Sequence, residues 1–377
     1  MVIFMKKALR QILKMIVQNL VLPVAYFIFC VQKVKPGVVI LADGHCTKRP
    51  ERMEALFEEL QKRNYEVIEW YVDFQAIPYV KAMIKMLSFM KLYARANYVV
   101  ISDNFLPVSS CKKRKATFVI QLWHGCGAFK KFGYDTQDDI PADYIGHVFK
   151  NYDLVPVSGP KSIEPFTSAM RLEEGVCQPI GVSATDVYFD ESYNRSCVEA
   201  FYEKYPETKG KRILLWAPTF RGNAANPTLC GEDEISVLKE KLGPSWCVLT
   251  KYHPHMEVKG SKSSTDIPTE RLLPVIDVLV TDYSSIIFPY AIYDKPAIFY
   301  APDLSAYWTK RGFYLDYESL PGEVCKNAQE ILDAIAKAEV SFDGESMRTF
   351  YEAYMSGCDG SATKRIVDIM DTKRYRS

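Results

Sequence analysis

The 377-residue sequence carries no excess of either charge: 47 Lys plus Arg stand against 46 Asp plus Glu, a net +1. That balance gives no reason to expect nucleic acid as a partner. Its ten cysteines, at 30, 46, 111, 126, 177, 197, 230, 247, 325 and 358, include no CxxC pair and no finger-like spacing with histidine. A disulfide framework is not indicated, and reduced thiols in a cytosolic compartment are expected. GxxxxGKS/T is missing, which excludes a P-loop kinase or ATPase, and no GxGxxG follows a strand, which argues against a nicotinamide cofactor. Internal repeats and low-complexity tracts are also missing.

What is there suits a folded chain. Apolar residues make up 48% and aromatics 13%, enough for sizeable cores. At roughly 100–200 residues per domain the length implies two domains. The first 42 residues hold six basic residues (Lys6, Lys7, Arg10, Lys14, Lys33, Lys35) and no acidic one, so the remaining chain is 41 minus 46, or −5. This basic arm borders an uncharged run, Met15 to Gln32, of 18 residues. A spanning helix needs about 20. A basic, apolar helix lying on the cytoplasmic leaflet fits the composition, with a spanning form or a buried first helix as the alternatives.

Beyond the arm, β-rich runs alternate with amphipathic helical patterns: 38–43, 66–72, 97–103, 116–123 and 153–159, with helices over 51–63 and 80–96. After a polar stretch at 190–196 the alternation restarts at 212–218, 246–252, 275–282 and 296–301, with helical runs at 235–243 and 328–338. Continuous apolar strands between helices predict parallel α/β sheets. Two such units joined near 195 predict two Rossmann-like lobes with a cleft between them. Ligands in open parallel sheets sit beyond the carboxyl ends of the strands, so polar residues there are the first candidates.

Four segments qualify. In QLWHGCGAFKKFGYD (121–135), His124 follows a strand and precedes Gly125 and Gly127, with Lys130 and Lys131 adding charge; a histidine there can act as a base at neutral pH, or serve as an ordinary loop histidine. In WAPTFRG (216–222), Thr219 and Arg221 would project past the strand ended by Pro218. In KYHPH (251–255), Lys251 and His253 share one face of an extended chain. His253 and His255 have no acidic or cysteine neighbour to complete a metal site, so phosphate or hydroxyl contacts are expected and no metal. In TDYSSIIF (281–288), Ser284 and Ser285 are expected to open a helix, where free N–H groups and hydroxyls suit a phosphate or simply cap the helix.

Residues 277–324, DVLVTDYSSIIFPYAIYDKPAIFYAPDLSAYWTKRGFYLDYESLPGEV, resemble the CDP-glycerol glycerophosphotransferase family of teichoic-acid and related polymer synthesis, whose pattern there is DxLITDYSSxxFDxAxxxKPxIFYxxDxxxYxxxRGFYxDY. The WHG, APTFR and HP segments occur in the family's order, and LADGHCTKRP (41–50) and DGSATKRIVD (359–368) match more loosely. The resemblance covers about residues 38–370. It implies a glycosyltransferase-B-like pair of lobes: a membrane-associating arm over 1–35, an acceptor-side lobe over 36–195, a CDP-alditol lobe over 196–345, and C-terminal helices over 346–377 returning to the first lobe. It further implies CDP-glycerol or CDP-ribitol as donor, a lipid-linked saccharide or polymer hydroxyl as acceptor, CMP as leaving group, no required cofactor, and work at the cytoplasmic face of the membrane. By resemblance His124 would be the base. Gly125, Cys126, Gly127, Ala128, Pro218, Thr219, Arg221, Lys251, Tyr252, His253, Ser284, Ser285 and Arg311 would bind the donor. A nucleotide-sugar glycosyltransferase of the same fold, and a binding module in a synthase complex, are the rival readings.

The sequence departs from the family pattern at three places. WHGCGAF stands where WHGTPL is common. GVSATD (181–186) replaces GxPR(N/T)D, which removes an arginine expected to hold phosphate. Pro289 replaces the aspartate of SSxxFDxA, a carboxylate that could hold alditol hydroxyls. These changes leave the alditol open.

Overall fold

The computed structural model describes residues 12–140, 142, 144–219, 221–223, 226–252 and 263–374. It resolves into two compact units, one of Met1–Gly125, Phe132–Asp186 and Gly357–Ser377, the other of Cys126–Lys131 and Val187–Ser356. The boundary expected near 195 falls inside a helix, Glu191–Lys204, and the chain parts at Asp186 instead. The polar stretch at 190–196 is the start of that helix. Asp190 caps it by accepting from the Ser192 N–H, and only Cys197 and Phe201, one turn apart, are buried, which is why its polar surface reads as a linker.

The first unit is built on β1 (Lys35–Asp43), β2 (Glu66–Tyr71), β3 (Ala96–Ile101) and β4 (Phe118–Gln121), all parallel, in the order β2-β1-β3-β4. Val39 lies opposite Val67 on one side and Tyr98 on the other. The run at 153–159 yields only a short strand, β5 (Val155–Pro156), paired with β6 (Cys177–Gln178). One face of the sheet packs Val39, Leu41, Tyr98 and Val100 against Leu56 and Leu60 of helix Glu54–Lys62 and against Ile366, Val367 and Met370 of helix Ala362–Arg374. Both carboxyl oxygens of Asp186 accept from the first N–H groups of that last helix, Ala362 and Thr363. The GVSATD segment is therefore a helix cap in this unit.

The second unit holds β7 (Arg212–Trp216), a hairpin of β8 (Arg221–Asn223) and β9 (Asn226–Thr228), then β10 (Trp246–Thr250), β11 (Val278–Thr281), β12 (Ala297–Tyr300) and β13 (Gly322–Cys325). Five of these form a parallel sheet in the order β10-β7-β11-β12-β13. Leu214, Trp216, Val278, Val280 and Ile298 pack on Ile235 and Leu238 of helix Glu232–Leu242 and Ile331 and Ile335 of helix Ala328–Ser341. The edge strand β13 and the hairpin carry too few apolar residues to be seen as periodic runs.

Residues 1–11, with Lys6, Lys7 and Arg10, lie outside the described residues. Ile12–Phe29 is one helix, long and apolar enough to cross a membrane, with a π-helical stretch at Val17–Val21. It has two faces. Val17, Gln18, Leu22 and Tyr26 are buried. Gln18 donates to the His147 carbonyl and accepts from Tyr144, and the Tyr26 ring lies 4.9 Å from that of Tyr93 in helix Tyr79–Tyr93. The other face exposes Ile16, Leu20, Val24, Phe27 at 80% and, just past the helix, Val31 at 87%.

Candidate active site

In the first unit, polar residues gather just past the carboxyl ends of β1, β3 and β4. Asp43 ends β1 fully buried, because its carboxylate is satisfied on all sides: Ser102 Oγ, the His45 N–H and Arg52 Nη2 donate to it. Burial opposes its charge, but these donors hold its carboxyl below the usual range. Asp103 follows β3. His124 Nδ1 lies 3.3 Å from Asp103 Oδ2, and His45 Nε2 lies 3.9 Å from the same oxygen. Burial would raise the Asp103 carboxyl, yet the bond from His124 lowers it overall. A carboxylate on Nδ1 fixes the imidazole tautomer and leaves Nε2 as the acceptor of a proton. The His124 ring also stacks on Trp123, with centroids 4.3 Å apart. Trp123 adopts φ +60°, and its N–H is held by the side chain of Gln121, the buried last residue of β4. A positive φ at a bulky residue is strained backbone, held here next to His124.

In the second unit the centre is Asp282, the first residue after β11 and fully buried. The Thr219 N–H and hydroxyl both donate to its Oδ1, at 2.8 and 2.7 Å. Arg221 bridges it to Asp303: Nη1 lies 2.6 Å from Asp282 Oδ2, while Nε and Nη2 grip Asp303 at 2.6 and 2.9 Å. A further Nη1 bond goes to the Thr219 carbonyl. The guanidinium also lies over the rings of Tyr283 and Tyr307. Four of its five N–H donors are therefore committed inside the protein. Burial opposes the charge of Asp303, and Arg221 more than offsets it, holding the carboxyl below the usual range.

The segment Cys126–Lys131 belongs to this second unit, although its sequence neighbours on both sides belong to the first. Phe129 is buried among Phe288, Phe313 and Tyr317, and backbone bonds run from Lys131 to Gly312 and from Tyr314 to Phe129. Gly127 sits at φ +60° with the Phe288 ring 2.5 Å from where a Cβ would be, so it is required for packing against protein. Gly125 has open space at that position.

The sequence-derived residues fall as follows. Ala128 and Pro218 are buried, and Cys126 is half-buried. Lys251 and Tyr252 follow β10; Lys251 Nζ donates to the Thr265 carbonyl and the Tyr252 N–H to Ser263. His253 and His255 lie outside the described residues. Ser284 is half-buried and Ser285 exposed, but they do not open a long helix. Only Ile287–Tyr290 is α-helical, followed by a 3-10 turn at Ala291–Tyr293. So short a helix has little dipole, which leaves the two hydroxyls and any local N–H groups as the means of holding an anion. Arg311 ends helix Leu304–Arg311. Among the described residues no group of three or more His, Cys, Asp or Glu is arranged to hold a metal ion. Asp103, His45, Asp303 and Tyr307 were not singled out from sequence. The signal for Asp103 was available, as the first carboxylate after a buried strand.

Parallel sheets with charged side chains past their carboxyl ends define an α/β fold of the kind that takes ligands at those ends. The chain belongs to the CDP-glycerol:poly(glycerophosphate) glycerophosphotransferase family, whose model matches residues 24–371, and it is an enzyme of that phosphotransferase type. This bears out the resemblance carried by 277–324. The chain is 33% identical to the teichoic acid ribitol-phosphate primase of Bacillus spizizenii over 75% of its length and 77% of that protein. It is 29% identical to the teichoic acid glycerol-phosphate primase of Bacillus subtilis over 72% of its length and 73% of that protein. The solved structure of the wall teichoic acid polymerase TagF superposes with a TM-score of 0.74 at 19% identity, covering 100% of this chain and 98% of that one, and so shares its fold.

Proposed function

We propose that this protein transfers an alditol phosphate from a CDP-alditol to a hydroxyl of a lipid-linked saccharide or polymer, in teichoic-acid-type synthesis. The family match over 24–371 carries the reading. The two primases differ in their alditol, and the higher identity to the ribitol-phosphate primase makes CDP-ribitol the first donor to test and CDP-glycerol the second. A TagF structure with CDPG supports a CDP-linked donor.

The acceptor oxygen attacks the phosphorus that bears the alditol, the bond from that phosphorus to the CMP oxygen breaks, and CMP leaves with the electron pair. His124 Nε2 takes the acceptor proton, and Asp103 stabilises the imidazolium that results. Gly125, Ser284, Ser285, Lys251, Tyr252, His253 and Arg311 contact the donor, with Cys126, Gly127, Ala128, Pro218 and Thr219 shaping its surroundings. Arg221 acts as a positioning residue that keeps Asp282 and Asp303 in place. Such transfers depend mainly on positioning and on stabilising charge at the phosphoryl oxygens.

The test is product analysis with purified protein and a lipid-linked acceptor. CMP release with a new phosphodiester, from CDP-ribitol or CDP-glycerol, is the expected result. Nucleotide release from UDP-glucose with a glycosidic bond would instead establish a glycosyltransferase.

We also propose that the exposed face of Ile12–Phe29 lies in the cytoplasmic leaflet, where a lipid-linked acceptor would be found. Replacing Phe27 and Val31 by glutamate is expected to lower flotation with anionic vesicles several-fold while leaving the thermal midpoint unchanged, since both side chains are exposed. Flotation equal to the unmodified protein would refute the interfacial role.

A further inference from the structure

The second unit gathers charges of both signs around Asp282. Lys130, Arg221 and Arg311 are the cations that gather near the carboxylates of Asp282 and Asp303 among the described residues. Arg221 binds both carboxylates. Lys130 is placed differently. Its segment is fixed by Phe129 in the aromatic cluster and by the backbone bridge from Lys130 to Phe313. Its ammonium points toward Tyr307, 5.8 Å from the ring centroid, and has no hydrogen-bond acceptor among the described residues. A half-buried ammonium that no acceptor meets is costly to hold, and an anion at that place would offset the cost.

We infer that Lys130 is a donor-phosphate contact: its ammonium binds a phosphate or diphosphate group at the Asp282–Arg311–Tyr307 cluster. This rests on the proposed CDP-alditol donor. The groups facing Lys130 are Asp282 after β11, Arg221 on β8, and Tyr307 and Arg311 on helix Leu304–Arg311, with Asp303 at that helix's start. Burial lowers the Lys130 amine to about 8, with Arg311 and Arg221 adding to the effect and Asp282 opposing it. Below that pH the unliganded side chain is charged; above it the charge is lost. An incoming phosphate favours the charged form, so binding near pH 8 draws in up to about half a proton. The affinity falls as pH rises through 8 to 10.

Calorimetry at pH 8 in two buffers of different ionisation enthalpy measures that uptake, with CDP-ribitol, CDP-glycerol and inorganic pyrophosphate as probes. The intact protein is expected to take up protons with a CDP-alditol and with pyrophosphate. Lys130→Met is expected to weaken both by roughly 10- to 100-fold, the scale of a hydrogen bond to a charged group, and to abolish the uptake. Lys130→Arg, whose charge does not titrate in this range, is expected to restore affinity without uptake, which separates charge from a folding defect. Unchanged affinity and uptake in Lys130→Met would overturn the inference and leave the donor reading standing. Lys130-dependent binding of pyrophosphate but of neither CDP-alditol would do the reverse. An intact protein that binds neither probe overturns both.

Discussion

Replacing His124 by alanine is expected to lower kcat by about 10²–10⁴-fold, the range of a positioned general base, with CDP-alditol affinity nearly unchanged. The basis is local. His124 is half-exposed, its Nδ1 is taken by Asp103, and Trp123 supports its ring, so the side chain is oriented without being needed for the core. Steady-state CMP release gives kcat, and calorimetry gives donor affinity. Asp103→Asn provides the comparison: it keeps the shape but removes the charge facing the imidazole, and is expected to lower kcat while KM holds. If His124→Ala loses donor binding altogether, the histidine is a binding residue and the base lies elsewhere. If it turns over at the normal rate, the proposed chemistry is wrong.

Arg221→Ala is expected to cost about 3–5 kcal/mol of stability, as when one partner of a buried ion pair is removed. The arginine is only 15% exposed and Asp282 is fully buried, so the substitution leaves one buried carboxylate without its bridging cation and a second without its bidentate partner. Arg221→Lys is expected to rescue little, because a point charge cannot span both carboxylates in the planar fork that the guanidinium supplies. Arg221→Met combined with Asp282→Asn is expected to recover part of the loss by removing the orphaned charge as well. Urea unfolding midpoints measure all three. A change below about 1 kcal/mol in Arg221→Ala would place the pair among solvent-screened ones and return Arg221 to the list of direct phosphate contacts.

The contrast between Arg221 and His124 shows how far the sequence reached. Strands such as 38–43 and 212–218 were legible because both faces are buried and the run is continuously apolar. The strand-end position of His124 followed from that. What Arg221 touches did not follow, because Asp303 lies 82 residues away and only the fold brings them together. The resemblance implied that Gly127 binds the donor; the structure packs it against Phe288, a long-range contact no local pattern encodes. The helix expected to open at Ser284 and Ser285 starts only at Ile287 and runs four residues, an extent hidden from the sequence because Ile287, Phe288 and Tyr290 are all buried and carry no period. The buried reading of the N-terminal helix describes the face of Leu22 and Tyr26, while its opposite face is exposed and is the one proposed to meet lipid.

The route of the chain through its two units constrains how the protein can be made. The chain passes from one unit to the other four times, after Gly125, Lys131, Asp186 and Ser356. The first core is not closed until Ile366, Val367 and Met370 arrive, so on the ribosome Val39, Tyr98 and Leu60 wait without them while about 270 further residues are synthesised past Tyr98. Phe129 waits likewise for Phe288 and Phe313. Neither unit can be expressed as one uninterrupted segment, and a chain released before Ile366 would present an unfinished first core to the cell.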